Sequence, residues 1–261
     1  DNSTNGNGTI TGGHTFYSGG AGINVNGGNL ILTKGAIQGN IAQLKLGGSS
    51  AVGVGVSVVN GTFTMNDGAI NDNSVKVDGN SIINGAGLGA KNSRLTINNG
   101  TINNNHNYAN SGGGLYAHSS EVLINGGEIS DNVLHSNGSN GAGVEVEANS
   151  TLTITNGLIS NNTGSTNGGG VYVVDSILNL SGGIIEKNTA YLGAGIKISP
   201  YSQGLISGGI IRGNSTITDY GYGGAICVSG VVEMTGGTLG GTNESDGNTA
   251  AYGAGISIRD G

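Results

Sequence analysis

Short alternations of apolar and polar residues, broken by glycine and asparagine, recur along the chain. Val144-Glu-Val146, Leu152-Thr-Ile154 and Gly157-Leu-Ile159 show the form. A period of two puts successive side chains on opposite faces, so each alternation predicts a short strand. No window carries the helical period of 3.6 residues. The chain is therefore expected to be all-β, with no helix longer than a turn.

These alternations belong to a repeating unit. A glycine-rich tripeptide followed by an apolar residue occurs at Gly20-Ala-Gly-Ile23, Gly53-Val-Gly-Val56, Gly85-Ala-Gly-Leu88, Gly112-Gly-Gly-Leu115 and Gly141-Ala-Gly-Val144. It returns at Gly168-Gly-Gly-Val171, Gly193-Ala-Gly-Ile196, Gly223-Gly-Ala-Ile226 and Gly253-Ala-Gly-Ile256. A second anchor, Gly-x-Ile-x-x-Asn, begins 15 or 16 residues after each of the first seven and ends at Asn40, Asn73, Asn105, Asn132, Asn162, Asn188 and Asn214. Three strands in a repeat of this size predict a parallel β-helix of about eight full coils, with Val144, Ile159 and their equivalents in interior columns. The stretch from Asn to the next tripeptide varies, from 13 residues after Asn40 to 5 after Asn188. One loop of each coil is thus expected to be free to change. The asparagines are expected to occupy left-handed turns and to hydrogen-bond along the stack. Six residues are inserted between Gly237-Thr-Leu239 and the next such residue, Asn248.

Composition agrees with a narrow stacked core. Of 261 residues 55 are Gly, one is Pro and none is Trp; 35% are hydrophobic and 10% charged. Compact globular domains carry about 45–50% apolar and about 25% charged residues, so an ordinary core is not expected. Gly has no three-residue period and Pro is nearly absent, which excludes collagen. The longest uncharged apolar run, Ala51 to Val59, is too short to span a bilayer. Net charge is −7 and the nine Lys and Arg are scattered, which argues against nucleic acid or anionic membranes as partners. The single cysteine, Cys227, excludes an internal disulfide framework.

The succession Ile-x-x-Asn, loop, Gly-Gly-Ala-Ile resembles the repeats of bacterial surface β-helix proteins. Its nearest counterpart is the paired Phe-x-x-Asn and Gly-Gly-Ala-Ile motifs of chlamydial polymorphic outer-membrane proteins and related adhesins. Gly223-Gly-Ala-Ile226 matches the second motif literally, while the first has Ile in place of Phe throughout. The resemblance runs from Gly8 to Ile258. It implies a right-handed β-helix of pectate-lyase-like form, extracellular or on the bacterial surface, adhesive or acting as a spacer, and without enzymatic activity. Residues 1–261 are then expected to form one solenoid domain within a longer protein, with the β-helix continuing at both ends. The expected partner is a surface protein or glycan of a host or neighbouring cell.

Many β-helices cleave polysaccharides, so catalytic residues were sought. The outward residues of the first strand read Asn24, Ser57, Gly89, Tyr116, Glu145, Tyr172, Lys197, Cys227 and Ser257, with one carboxylate and Glu147 just beyond the strand. Glycoside hydrolysis needs a pair about 5–10 Å apart. The Asn-Thr-Asp, Asp-Asp, Gly-His-Gly and Arg-Ile-Lys signatures of polygalacturonases do not occur, and Arg94, Arg212 and Arg259 stand alone. His14, His106, His118 and His135 are not at metal-ligand spacing, and the oxygen-rich loop Asn243 to Asn248 lacks the alternation of an EF-hand and reads as a plain turn. No catalytic residue, metal or cofactor is expected. The competing reading is a carbohydrate-binding β-helix, with a polysaccharide lyase or hydrolase behind it.

Aromatic side chains mark the expected binding face. Tyr108, Tyr191, Tyr220, Tyr222 and Tyr252 lie in the variable loops, and Tyr116 and Tyr172 lie outward on the strands those loops feed. Tyr joins an apolar ring to a polar tip, which suits interfaces and sugars. The candidate contacts are Tyr116, Glu145, Tyr172, Tyr191, Lys197, Tyr220 and Tyr222.

Overall fold

The computed structural model describes residues 2–4, 9–11, 14–15, 20–44, 50–77, 82–108 and 111–260; Gly8, where the resemblance begins, lies outside them. Within them the chain is a parallel β-solenoid. Three nine-stranded sheets each take one strand per coil in chain order, giving about eight turns. Val144–Glu147, Thr151–Ile154 and Leu158–Ser160 are the three strands of one coil. They pair in register with Leu115–His118, Glu121–Ile124 and Glu128–Ser130 of the coil before. The only helix among the described residues is a single 3-10 turn, Glu244–Asp246, inside the six-residue insertion. No helix there is long and apolar enough to cross a membrane.

The tube is dry. Val144, Val146, Leu152, Ile154 and Ile159 are buried, and their equivalents from neighbouring coils join them in one continuous core. Each coil contributes about five apolar side chains to the tube, so a low apolar fraction suffices. The third position of the glycine tripeptide sets the fit. A Cβ on Gly143 would lie 3.0 Å from Ile159 Cγ2 and 2.5 Å from the Gly170 carbonyl oxygen. In one coil the position is Ala225, and the third strand of that coil carries Leu239 where the others carry Ile.

Side-chain ladders hold the corners. Asn40, Asn73, Asn105, Asn132, Asn162, Asn188 and Asn214 are fully buried. Asn132 Oδ1 accepts from Asn105 Nδ2 at 2.9 Å and from the Asn105 backbone N–H at 3.1 Å. Its own Nδ2 donates to Asn162 Oδ1 at 2.9 Å and to the Ile102 carbonyl at 3.0 Å. Asn248 extends the series beyond the insertion, accepting from Asn214 Nδ2 at 3.0 Å. A second ladder, at the corner before the second strand, is buried serine: the Ser93 N–H donates to Ser120 Oγ, Ser120 to Ser150 and Ser150 to Ser176, each at 3.0 Å.

One expectation is corrected. The left-handed residue is not the ladder asparagine but the one before it: Gly39, Asp72, Asn104, Asp131, Asn161, Lys187 and Gly213 all have positive φ. The ladder asparagines are therefore selected by their side-chain bonds, and the turn is made by their neighbours. Lys187, at φ 54°, is the long side chain in a place where Gly, Asn and Asp recur. Left-handed backbone costs an ordinary residue about 1–2 kcal/mol. Lys187→Asn is expected to stabilise the fold by about 1 kcal/mol, read as a higher urea midpoint; an unchanged or lower midpoint would reject the assignment. The loops vary in length from coil to coil, but their ends are held. Their ends stack from coil to coil, as in Val133 with Thr163 and then Thr189, and in Ser111 with Asn140, Asn167, Leu192, Tyr222 and Tyr252.

Candidate binding site

The second of those stacks decides where the expected contacts lie. The chain runs along the outside of the first sheet, then turns sharply at the first tripeptide glycine. A Cβ on Gly112 would meet Tyr116 Cβ at 2.6 Å, and one on Gly141 would meet Glu145 Cβ at 2.5 Å. The returning backbone thus lies directly on the outward side chains. Tyr116, Glu145 and Lys197 do point away from the tube, but they are 3%, 2% and 5% exposed. Tyr172, Tyr191 and Tyr222 are half-buried, and Tyr220 is 69% exposed. The expectation that Tyr116, Glu145 and Lys197 are available as contacts is corrected, because the returning loop covers them, whereas Tyr172 is only half-buried.

Under that cover runs a polar strip. Tyr116 donates its phenol proton to Glu147 Oε1, and His118 Nδ1 lies 3.0 Å from the same oxygen. Burial, then the hydrogen bond to Glu147 and its charge, raise the Tyr116 phenol above its ordinary value. Glu145 Oε2 has no partner among the described residues. Its carboxyl is held well above the usual 4.5, first by burial and then by the Glu147 charge, with Ser111 and the Gly112 N–H acting in the opposite sense. At the far end, Lys197 Nζ donates to Ser229 Oγ at 2.7 Å and lies 3.5 Å from Cys227 Sγ. Arg259 sits 4.0 Å over the Tyr222 ring, which stacks on Tyr252 with centroids 4.7 Å apart.

Glu145 gives the strip a pH signature. The folded protein keeps a proton that the unfolded chain loses above pH 4.5. Stability is therefore present in full below that pH and falls as pH rises through the folded-state value. Glu145→Gln removes the titration without changing shape. Melting temperatures of the two proteins should be close at pH 4 and diverge towards pH 8, the variant melting higher; parallel curves would reject the burial of this carboxyl.

The open site lies elsewhere, at the corner between the first and second sheets. Five coils contribute residues 27–29, 60–62, 92–94, 119–121, Asn149 and Thr151 to a groove of about 630 Å³ running along the stack. One rim carries Asn60, Asn92, Ser119 and Asn149, all at positive φ. The other carries Asn29, Thr62, Arg94, Glu121 and Thr151, and the serine ladder lies between them. Thr62 Oγ1 donates to Asn29 Oδ1 at 2.7 Å, and Arg94 pairs with Glu121 at 2.7 Å with both side chains about two-thirds exposed. Sequence reasoning missed this groove. The readable signal was a polar triplet between the first two strands, as in Asn60-Gly-Thr62, Asn92-Ser-Arg94 and Asn149-Ser-Thr151.

The histidines also change standing. His106 and His135, one coil apart, bring Nδ1 and Nε2 within 3.0 Å, and Tyr108 stacks on His135 at 4.0 Å. Among the described residues no cluster of three or more His, Cys, Asp or Glu is placed to hold a metal ion. The Asn243 to Asn248 loop instead reaches back to the previous coil, with Asp246 3.6 Å from Arg212. Compared with protein-family models, curated proteins and solved structures, the chain matches none.

Proposed function

We propose that this chain is a non-catalytic rod of a bacterial surface protein of adhesin type, and that it grips an extended neutral glycan along the corner groove. The single observation that carries the reading is the groove itself. It repeats one rim residue per coil at a spacing of about 4.8 Å, close to the advance of a β-linked hexose chain. Amides and hydroxyls supply donors and acceptors to sugar hydroxyl and acetamido groups, and the Arg94–Glu121 pair leaves its central charges balanced. The repeat resemblance supports the surface setting, and the rigid ladders suit a spacer that holds its ligand at a distance.

The experiment is a glycan array on the wild type and an Arg94→Ala/Glu121→Ala variant, with Tyr220→Ala as the control for the loop face. Both groove side chains are exposed, so the variant should fold. A loss of about tenfold in affinity, equivalent to about 1.4 kcal/mol, is expected only in the groove variant. Retained binding there, or loss in Tyr220→Ala alone, would move the site. Turnover of any bound polysaccharide would overturn the non-catalytic reading.

A further inference from the structure

We propose that Ser229 is a covalent attachment point, its hydroxyl taking an acyl group from an activated ester with Lys197 as the base. Lys197 Nζ donates to Ser229 Oγ at 2.7 Å, so once the amine has released a proton it stands in place to accept the serine's. The amine is buried, whereas Ser229 is half-buried at the exit of the strand Ile226–Val228. Buried lysines are ordinarily matched by a carboxylate, and none lies within 4.0 Å of this one among the described residues. The groups that face it are Tyr172 and Cys227 on the flanking strands and, further along, Arg259 over the Tyr222 ring. None of them is a carboxylate. Burial lowers the Lys197 amine below its ordinary 10.5, and Arg259 adds to that, while Cys227 acts against it.

An amine that burial makes easier to deprotonate has a task available here. Ser229 Oγ bonds to the carbonyl carbon of the donor, and its proton passes to Lys197 Nζ. The alcohol portion of the donor leaves and takes that proton, so the amine is restored and an ester remains on Ser229. Arg259 at the same end favours donors that carry an anionic group. Cys227, fully buried behind the serine, is not the nucleophile.

A fluorophosphonate probe tests this on the whole chain. Attack by Ser229 forms an O–P bond, breaks the P–F bond and releases fluoride, with the proton again going to Lys197. Peptide mass spectrometry should place one adduct on Ser229, and Lys197→Met should slow labelling at pH 8 by about a hundredfold or more. Circular dichroism melting of Lys197→Met checks that the coil persists. As a second readout, Ser229→Cys in a Cys227→Ser background should be alkylated by iodoacetamide with a lower pH midpoint when Lys197 is present than when Lys197→Met is added. Absence of a Ser229 adduct, equal labelling without Lys197, or identical midpoints would each overturn the proposal.

Discussion

Replacing Ile159 with Asp is expected to destroy the cooperative fold of the middle coils. Ile159 lies in the dry tube, in register with Ile129 on one side and Ile185 on the other. A carboxylate there meets aliphatic carbon above and below and finds no donor. Burying such a group without a partner costs several kcal/mol even when it takes up a proton. In a solenoid each coil is stabilised mainly by its neighbours, so damage in one coil spreads to the next. The measurement is thermal unfolding by circular dichroism. Ile159→Val serves as the control, and is expected to lose only about 0.5–1.5 kcal/mol. A normal melt for Ile159→Asp would show that Ile159 does not face the tube.

The second large effect is expected from the asparagine ladder. Asn132→Leu removes four hydrogen bonds at one stroke: two accepted from Asn105 and two donated, to Asn162 and to the Ile102 carbonyl. Each buried group left without a partner costs about 1–3 kcal/mol, so a loss of about 4 kcal/mol or more is expected. Asn248→Leu is the internal comparison. In the described bonds Asn248 accepts from Asn214 twice and donates to the Ile211 carbonyl, without a further ladder asparagine above it, and it is less buried. Its loss should be about half as large. Equal urea midpoints for the two variants would contradict a ladder whose interior members are bonded on both sides.

The solenoid was legible because its two signals are one-dimensional. Strand alternation and a constant spacing between Gly-x-Gly and Ile-x-x-Asn are written along the chain, and stacking converts that spacing directly into register. The left-handed turn was misplaced by one residue because asparagine satisfies both roles in principle. Only the hydrogen-bond geometry separates Asn132, which bonds along the stack, from Asp131, which turns the chain.

The binding face was less legible, and for a different reason. Which side a strand residue points to follows from the period of two, so Tyr116 and Glu145 were placed on the outer face correctly. Whether another layer covers that face depends on a loop with no periodicity, and Gly112 and Gly141 fold that loop back onto them. The groove fell between two strands whose boundaries, not whose interiors, carry its residues. Asn92, Ser119 and Asn149 are different residue types at equivalent positions, united by backbone conformation and by the space they border.

On the proposed reading, the rungs of the axial groove act in series on one glycan. The most direct test is titration calorimetry with β-1,4-linked N-acetylglucosamine oligomers of increasing length. Because the groove spans five coils at about 4.8 Å each, affinity should climb with each added sugar up to about five units and then level off. Affinity that does not depend on length, or no binding by the longest oligomer, would contradict it.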